Sequence, residues 1–454
     1  MNRFIQTLKN IYKIEDLRKR IMYTLGIILI YRIGSYVALP GVNPAGLTAL
    51  QSQTDSGLMG LINMFSGGAF SNASIFALGI MPYISASIVV QLLGIAVPYF
   101  QKLQREGESG RKKMNQITRY LTVIILIFQS PAYIANLVRT IGSHHIYPFE
   151  PGVSMGIFSP FGISSILILT AGSMFVMWLG ERITDKGIGN GISLIIMVGI
   201  IANLPFALVA EFASRFESGG GGLVIFLVEL VVLVAVILMC ILLVQGTRRV
   251  PVQFAKRIVG NKQFGGVRQY VPLKVNAAGV MPIIFAQAIM FLPITLVGFS
   301  TSETMSGFAR AFSNYNGFWY NFVFALLIIA FTYFYTAITI NPTQMAEDMK
   351  KNGGFIPGIK PGKKTSQYLD GILSKITLPG SFFLAFVAVL PAIVHLGGVN
   401  SQFAQFFGGT SLLIMVGVIL DTLQQIESHL MMRHYDGLTK TGRIKGRSGG
   451  FTGR

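Results

Sequence analysis

Residues 57–98 read GLMGLINMFSGGAFSNASIFALGIMPYISASIVVQLLGIAVP. A short apolar piece, Gly57 to Phe65, ends at the break Ser66-Gly67-Gly68, and a longer apolar run follows from Ser74 to Val97. Twenty-four residues at ~1.5 Å each make about 36 Å, enough to cross a bilayer's hydrocarbon core. The first piece is too short to cross. It must lie against protein or in a cavity, because broken backbone is not left facing lipid. The long run carries Pro82 in its middle, which predicts a kinked helix. Ile80, Ile84, Ser87 and Gln91 fall on one helical stripe that changes from aliphatic to polar.

The same words recur half a chain later. Gly79-Ile80-Met81-Pro82-Tyr83-Ile84 is matched by Gly279-Val280-Met281-Pro282-Ile283-Ile284. The ten residues from Gly191 are matched by those from Gly409, with seven of ten positions identical. Two matches in the same order point to a duplicated architecture.

Composition agrees. Of 454 residues, 52% are hydrophobic and 12% charged, and the mean hydropathy is +0.59. These values describe a multi-spanning all-α membrane protein. Cys240 is the single cysteine, so no internal disulfide is possible. The opening twenty residues are too polar for a cleaved signal peptide. Ten spans are expected: 19–38, 74–97, 116–137, 157–180, 191–209, 222–245, 275–298, 317–340, 376–396 and 406–428. All but four of the 37 Lys and Arg fall in 1–20 and in alternate loops thereafter; the exceptions are Arg32, Arg139, Arg215 and Arg310. That asymmetry puts both termini in the cytoplasm. The net charge of +19 is therefore concentrated on one face.

Orientation gives the repeat its meaning. With five spans per half, the second and seventh pair in opposite directions, as do the fifth and tenth, which makes an inverted repeat. The halves are 1–210, with the short piece 57–68, and 211–428; 429–454 is a basic tail. The repeat aligns Ile84 with Ile284, Ile196 with Ile414 and Ile80 with Val280, and Ile192 lies one turn before Ile196. An aliphatic collar at the midplane follows. Loop 246–274 alternates along Val250-Pro251-Val252-Gln253-Phe254, turns at Gly260-Asn261 and resumes at Val267, so it reads as a hairpin bearing Arg248, Arg249, Lys256, Arg257 and Arg268. Loop 341–375 passes through a short amphipathic helix to Phe355-Ile356-Pro357-Gly358-Ile359-Lys360-Pro361-Gly362, which the Pro and Gly residues hold in a rigid non-helical shape. Two ordered basic loops on one face form a docking platform.

These words carry a resemblance. Tyr31-Arg32-Ile33-Gly34-Ser35, NMFSGGA at 63–69, ALGIMPYISASI at 77–88, EGESGR at 106–111, MWLGERIT at 177–184, GIGNGIS at 187–193, the run 341–362 and GGTSLLI at 408–414 resemble the SecY family of protein-conducting channels. They cover almost the whole chain in order. The resemblance implies ten helices closing like a clamshell on an hourglass pore. It implies a plug over 57–68, including Gly57, Gly60, Asn63, Phe65, Gly67 and Gly68. Its pore ring would be Ile80, Ile84, Ile192, Ile196, Ile284 and Ile414. A lateral gate between the second and seventh spans would include Pro82, Ser87, Gln91, Gln129, Pro282 and Gln287. The basic loops would receive the SecA motor and the ribosome with its acidic RNA, through Arg248, Arg249, Lys256, Arg257 and Lys360. SecE and SecG would be small membrane partners, YidC and SecDF further associates, and signal sequences, nascent polypeptides and lipids the molecules handled. Lys360 stands where the family word has Arg; it keeps the charge without the planar fork.

Two other classes fit less well. A secondary transporter shares inverted repeats and broken helices, yet it needs a polar coupling site near the midplane, and this collar is aliphatic. Glu229 and Asp421 read as local pairing or helix-end groups. A membrane enzyme would need a metal or nucleophile motif. The chain has no HExxH, no Ser-His arrangement and no Walker A word, and His144-His145 read as solvated loop residues. No metal or cofactor is implied, and without a Walker A word any energy from ATP must come from a partner.

Overall fold

The structure is a computed structural model that describes residues 14–54, 57–142, 146, 159–217, 222–254, 257–259, 262–264, 268–298 and 317–441. The first half comprises α1 (Glu15–Gly34), α2 (Leu47–Thr54), α3 (Gly57–Phe65), α4 (Met81–Ala96), α5 (Pro98–Arg105), α6 (Glu108–Ile141), α7 (Pro160–Lys186) and α8 (Gly191–Glu217). The second comprises α9 (Gly222–Gln245), β1 (Thr247–Phe254), β2 (Arg257–Val259), β3 (Lys262–Phe264), β4 (Arg268–Lys274), α10 (Met281–Gly298), α11 (Phe318–Thr339), α12 (Pro342–Lys351), β5 (Gly354–Phe355), α13 (Lys363–Leu396), α14 (Ser401–Ala404) and α15 (Gly409–Thr441). Each of the ten expected spans has its helix. Among the described residues, seven helical stretches are individually long and apolar enough to cross a membrane, and α4 with α5 makes an eighth candidate that turns through 100°. α1 and α10 complete the ten. α1 carries Arg18, Lys19, Arg20 and Arg32, which lowers its hydropathy.

Helix starts differ from expectation in an instructive way. Pro82 does not kink a helix, because α4 begins at Met81 and Pro82 sits in its first turn. The missing N–H is one of those that a first turn leaves unpaired, and the fixed φ suits a helix start. Residues 75–80 are turns instead, with Gly79 at φ +53°. The second half repeats the device. Residues 275–280 are turns, Gly279 has φ +63°, and α10 starts at Met281 with Pro282 behind it. In both, the amide four residues past the turn's end closes the first helical bond: Ile84 N–H to Ile80 O at 3.1 Å and Ile284 N–H to Val280 O at 3.3 Å. The repeat is therefore one of backbone conformation as well as of letters. Elsewhere helices run past their expected ends. α6 and α13 each have 34 residues and start well before the apolar part, on the side that carries the basic loops.

Three apolar clusters organise the spans. One fills the first half, among Leu126, Tyr133, Leu137, Phe161 and Leu169. A second fills the other half, among Val236, Ile283, Phe324, Leu384 and Leu413. The third draws on both halves, from Ile27 and Tyr31 through Ile195 and Ile196 to Phe403, Phe407 and Ile414. Large apolar side chains such as Leu25, Leu29, Phe128, Val231 and Phe382 remain exposed on the outer faces, as lipid contact requires.

The backbone break at 66–68 is fixed by close approach. Gly67 has φ +66°, and a Cβ there would lie 2.8 Å from the Cα of Gly199 and 2.9 Å from Arg32 Nη1. Gly67→Ala is expected to lower stability by about 2–4 kcal/mol, the sum of backbone strain and forced displacement. At Gly279 an added Cβ meets open space, so Gly279→Ala should cost only the backbone part, about 1–2 kcal/mol. Thermal unfolding of both variants side by side in detergent measures the difference.

Candidate functional site

The six collar isoleucines all lie near helix starts. Ile80 is the N-cap of α4 and Ile84 sits in its first turn. Ile192 and Ile196 are one turn apart at the beginning of α8, Ile284 is in the first turn of α10, and Ile414 follows the start of α15. The structure gathers all six into the central cluster. Ile80, Ile196 and Ile414 are buried within it, and Ile84, Ile192 and Ile284 pack half-buried against it. Four helices, two from each half, thus present branched aliphatic side chains without a polar atom to one place. Met64 and Phe65, at the end of α3, belong to the same cluster. The short apolar piece therefore stops against the collar.

A set of side chains holds that piece. Tyr31 Oη donates to Ser66 O at 3.0 Å, and Arg32 Nη1 donates to Gly67 O at 2.7 Å. Asn63 uses both of its acceptors: its backbone oxygen takes the Gly68 N–H at 2.9 Å and its Oδ1 takes the Ser71 N–H at 3.0 Å. Tyr133 Oη donates to Phe70 O at 3.0 Å. Arg32 is anchored in turn by Tyr36, whose hydroxyl accepts from Nη2 at 3.0 Å and whose ring lies 5.2 Å from the guanidinium carbon. Of the predicted plug residues, Gly57 opens α3, Gly60 is buried within it, and Asn63, Phe65, Gly67 and Gly68 take part in this arrangement.

The predicted gate residues are only partly assembled. Pro82 and Pro282 occupy equivalent second positions in α4 and α10. Gln91 Nε2 donates to Ser87 Oγ at 3.3 Å. Gln91, Leu92 and Gln104 share a cavity of about 220 Å³ with Phe285 of α10 and Phe334 and Tyr335 of α11, so the two halves face each other there. Gln287 is buried, and its Nε2 has no hydrogen-bond partner. Gln129 is exposed on α6.

The two basic loops form one body. β1 pairs antiparallel with β4, Val250 opposite Val271, and β5 adds to the other edge of β1, Gln253 opposite Phe355. The sheet order is β4-β1-β5. Val250, Val252, Leu273, Ile356, Leu369 and Leu373 make its own small core. Asn341 caps α12 by accepting from the amides of Thr343 and Gln344. Arg248, Arg249 and Lys360 are exposed, and the Lys360 carbonyl accepts from Thr365 Oγ1 at 3.0 Å. Arg257 lies on β2, which pairs with β3. Lys256, the turn Gly260-Asn261, His144, His145 and Arg310 lie outside the described residues.

One group was missed by sequence reasoning. Glu211 belongs to α8, which extends beyond the span expected for it and past the expected boundary of the halves at 210–211, so the join between them falls after Glu217. Arg215 Nε donates to Glu211 Oε1 at 2.8 Å, and Arg215 Nη2 to Glu229 Oε1 at 2.5 Å. The i,i+4 spacing of Glu211 and Arg215 was the available signal. Asp421, by contrast, is exposed.

Comparison with known proteins follows the same lines. The family model described as SecY matches residues 74–423. A protein translocase subunit SecY of Mycobacterium bovis is 43% identical over 455 residues, covering 97% of this chain and all of the relative. Two solved structures share the fold. One is described as showing that the plug domain of the SecY protein stabilises the closed state of the translocation channel and maintains a membrane seal. It has a TM-score of 0.61 at 18% identity and covers 93% of this chain and 95% of that one. The other is Sec61 in a canine ribosome-channel complex, with a TM-score of 0.57 at 17% identity, again covering 93% and 95%.

The hold of Arg32 on the break is measurable. A charge-assisted bond of this kind is worth about 1.5–3 kcal/mol. Arg32→Ala should therefore speed amide exchange across 57–71 by roughly 10–100-fold while leaving α13 unchanged. Hydrogen exchange read by mass spectrometry gives both numbers.

Proposed function

The chain belongs to the SecY family, and from that premise we propose how its residues make a protein-conducting channel. It is a multi-spanning membrane protein of the Sec translocase. The observation that carries the reading is the single cluster in which six isoleucines from both halves meet the end of α3. A channel for polypeptide must pass a bulky chain yet hold back ions. A ring of branched aliphatics offers no hydrogen bond to a passing chain, closes around it, and dewets when empty. In this reading Ile80, Ile84, Ile192, Ile196, Ile284 and Ile414 are the ring and residues 57–68 the plug on its outer side. Tyr31, Arg32 and Asn63 set how firmly the plug is seated.

The seam between α4 and α10 is the lateral gate, with Pro82, Ser87, Gln91, Pro282 and Gln287 along it. Each buried CH2 favours lipid by ~0.8 kcal/mol. A signal sequence at the seam thus biases the gate through its own partitioning. Gln129, exposed on α6, which packs against α4, belongs to the same gate in this reading. Charge asymmetry supports placing the β-hairpin face in the cytoplasm of a bacterial inner membrane, with both termini there. Arg248, Arg249, Arg257 and Lys360 then face the cytoplasm as a docking surface for the SecA motor or the ribosome, which supply the energy; the chain itself performs no chemistry. SecE and SecG are the small membrane partners in this reading.

Site-specific crosslinking tests the channel. A photoreactive residue at Ile84 or Ile284, in the membrane-embedded protein, should crosslink to a stalled secretory precursor and lose that crosslink when the signal sequence is deleted. No crosslink from either position, with control positions active, would reduce the collar to core packing. Replacing Ile84, Ile196 and Ile284 together by Ser should raise ion conductance while export continues; planar-bilayer recordings showing an unchanged conductance would count against the ring.

A further inference from the structure

Four aromatic rings follow one another along a line that starts at the seat of the short apolar helix and ends on the surface of the molecule. Tyr31 of α1 stacks on Phe76 of the break, with ring centroids 6.2 Å apart and planes 10° from parallel. Phe76 stacks on Phe175 of α7 at 6.0 Å and 24°, and Phe175 on Trp178 at 5.7 Å and 24°. The guanidinium carbon of Arg182 closes the line, 5.2 Å from the centre of the Trp178 ring. Tyr31 and Phe76 are buried, whereas Phe175 and Trp178 are 41% and 45% exposed. Phe76 occupies a slot that two glycines leave open. A Cβ on Gly34 of α1 would lie 2.0 Å from Phe76 Cε2, and one on Gly172 of α7 would lie 3.3 Å from Phe76 Cδ1 and 2.1 Å from the carbonyl oxygen of Ile75. A ring of the break thus fits between two helices only because both lack a side chain there.

Stacks of this kind favour one mutual orientation of the rings. A phenol carries its oxygen on the long axis of the ring, so the tilt of the Tyr31 ring decides where its hydroxyl points. That hydroxyl donates to Ser66 O at 3.0 Å, the first carbonyl after α3. Arg32 reaches the next carbonyl, that of Gly67, through a long side chain with many torsions. Tyr31 turns about two bonds only, and the face of Phe76 sets both. A ring in a close-packed interior that loses its neighbour's face gains room to tilt. We propose that Phe76 and Phe175 are positioning residues. By stacking on one another and on Tyr31 they hold its hydroxyl on the Ser66 carbonyl, so that an exposed ring of α7, two places along the line from Tyr31, bears on how firmly the short helix is seated. The inference rests on reading residues 57–68 as the plug.

A double-mutant cycle in the full chain, in membranes with its partners, tests this by hydrogen exchange across 63–68. Phe175→Leu keeps an apolar side chain and removes the flat face. Phe175 is exposed, so the change opens no buried cavity. It is expected to speed exchange across 63–68 roughly three- to tenfold, with α13 unchanged as the internal reference. Phe175→Tyr keeps the ring, and its exchange should stay within about twofold of wild type. Tyr31→Phe keeps the stack and removes only the hydroxyl. It should loosen the break roughly tenfold, and Phe175→Leu added to it should then change exchange by less than about twofold. Exchange that Phe175→Leu leaves unchanged overturns the proposal. So does the same factor in both backgrounds, which would reduce the rings to ordinary packing of α7, and so does an equal effect of the Tyr and Leu variants. Exchange reads the seat whether or not the chain conducts. Failure here is therefore distinct from failure of the channel reading, which the crosslinks from Ile84 and Ile284 decide.

Discussion

Backbone polar groups have no water to bond with at the depth of a bilayer, and this constraint shapes the centre of the molecule. Residues 66–80 are neither helix nor strand, yet they lie among spanning helices. Such a stretch persists only where it is buried in protein or lines a water-filled cavity. Here Tyr31, Arg32, Asn63, Ser66 and Tyr133 do so, each bonded to a carbonyl or amide of the break. The side chains that permit irregular backbone also determine where the short apolar piece ends. The collar contacts of Met64 and Phe65 follow from that anchoring.

The inverted repeat solves a second problem with the same parts. A constriction needs apolar side chains from several directions at one level. Helices that start at that level provide them, because their first turns can be aimed by the preceding loop. Gly79 and Gly279, both at positive φ, turn the chain, and Pro82 and Pro282 then start a helix. The result is one isoleucine from each of α4 and α10 in matched first turns. α8 and α15 add theirs by the second repeated word. Two copies of a turn-and-start device, opposed in the membrane, make a collar that neither half completes alone.

Much of this was legible in the sequence, because spans, repeat and charge asymmetry are one-dimensional patterns. Ten apolar runs gave ten helices. The collar followed from aligning the two copies, and the structure brings those six residues together. Pro82 was misplaced for a physical reason: hydropathy does not distinguish an apolar turn from an apolar helix, so residues 74–80 looked like span. The repeated Gly-x-Met-Pro word held the correction, since proline is favoured in a first turn. The pairing of β5 with β1 joins residues a hundred positions apart and leaves no local trace. Glu211 was overlooked because its helix outlasts its apolar stretch, so a charged residue inside α8 read as loop. Gln129, chosen as a polar residue in a span, is exposed on α6, because polarity alone does not say whether a side chain is buried.

The cradle and the collar differ in when the growing chain can make them. The side chains named above as hydrogen-bonding the break all lie between Tyr31 and Tyr133. Those contacts become available once the first third of the polypeptide has entered the membrane. The collar waits for Ile414, almost three hundred residues after Tyr133. During its own biogenesis the protein thus seats its short apolar helix long before the ring that helix abuts exists. The collar is therefore complete only after the seat of that helix has formed.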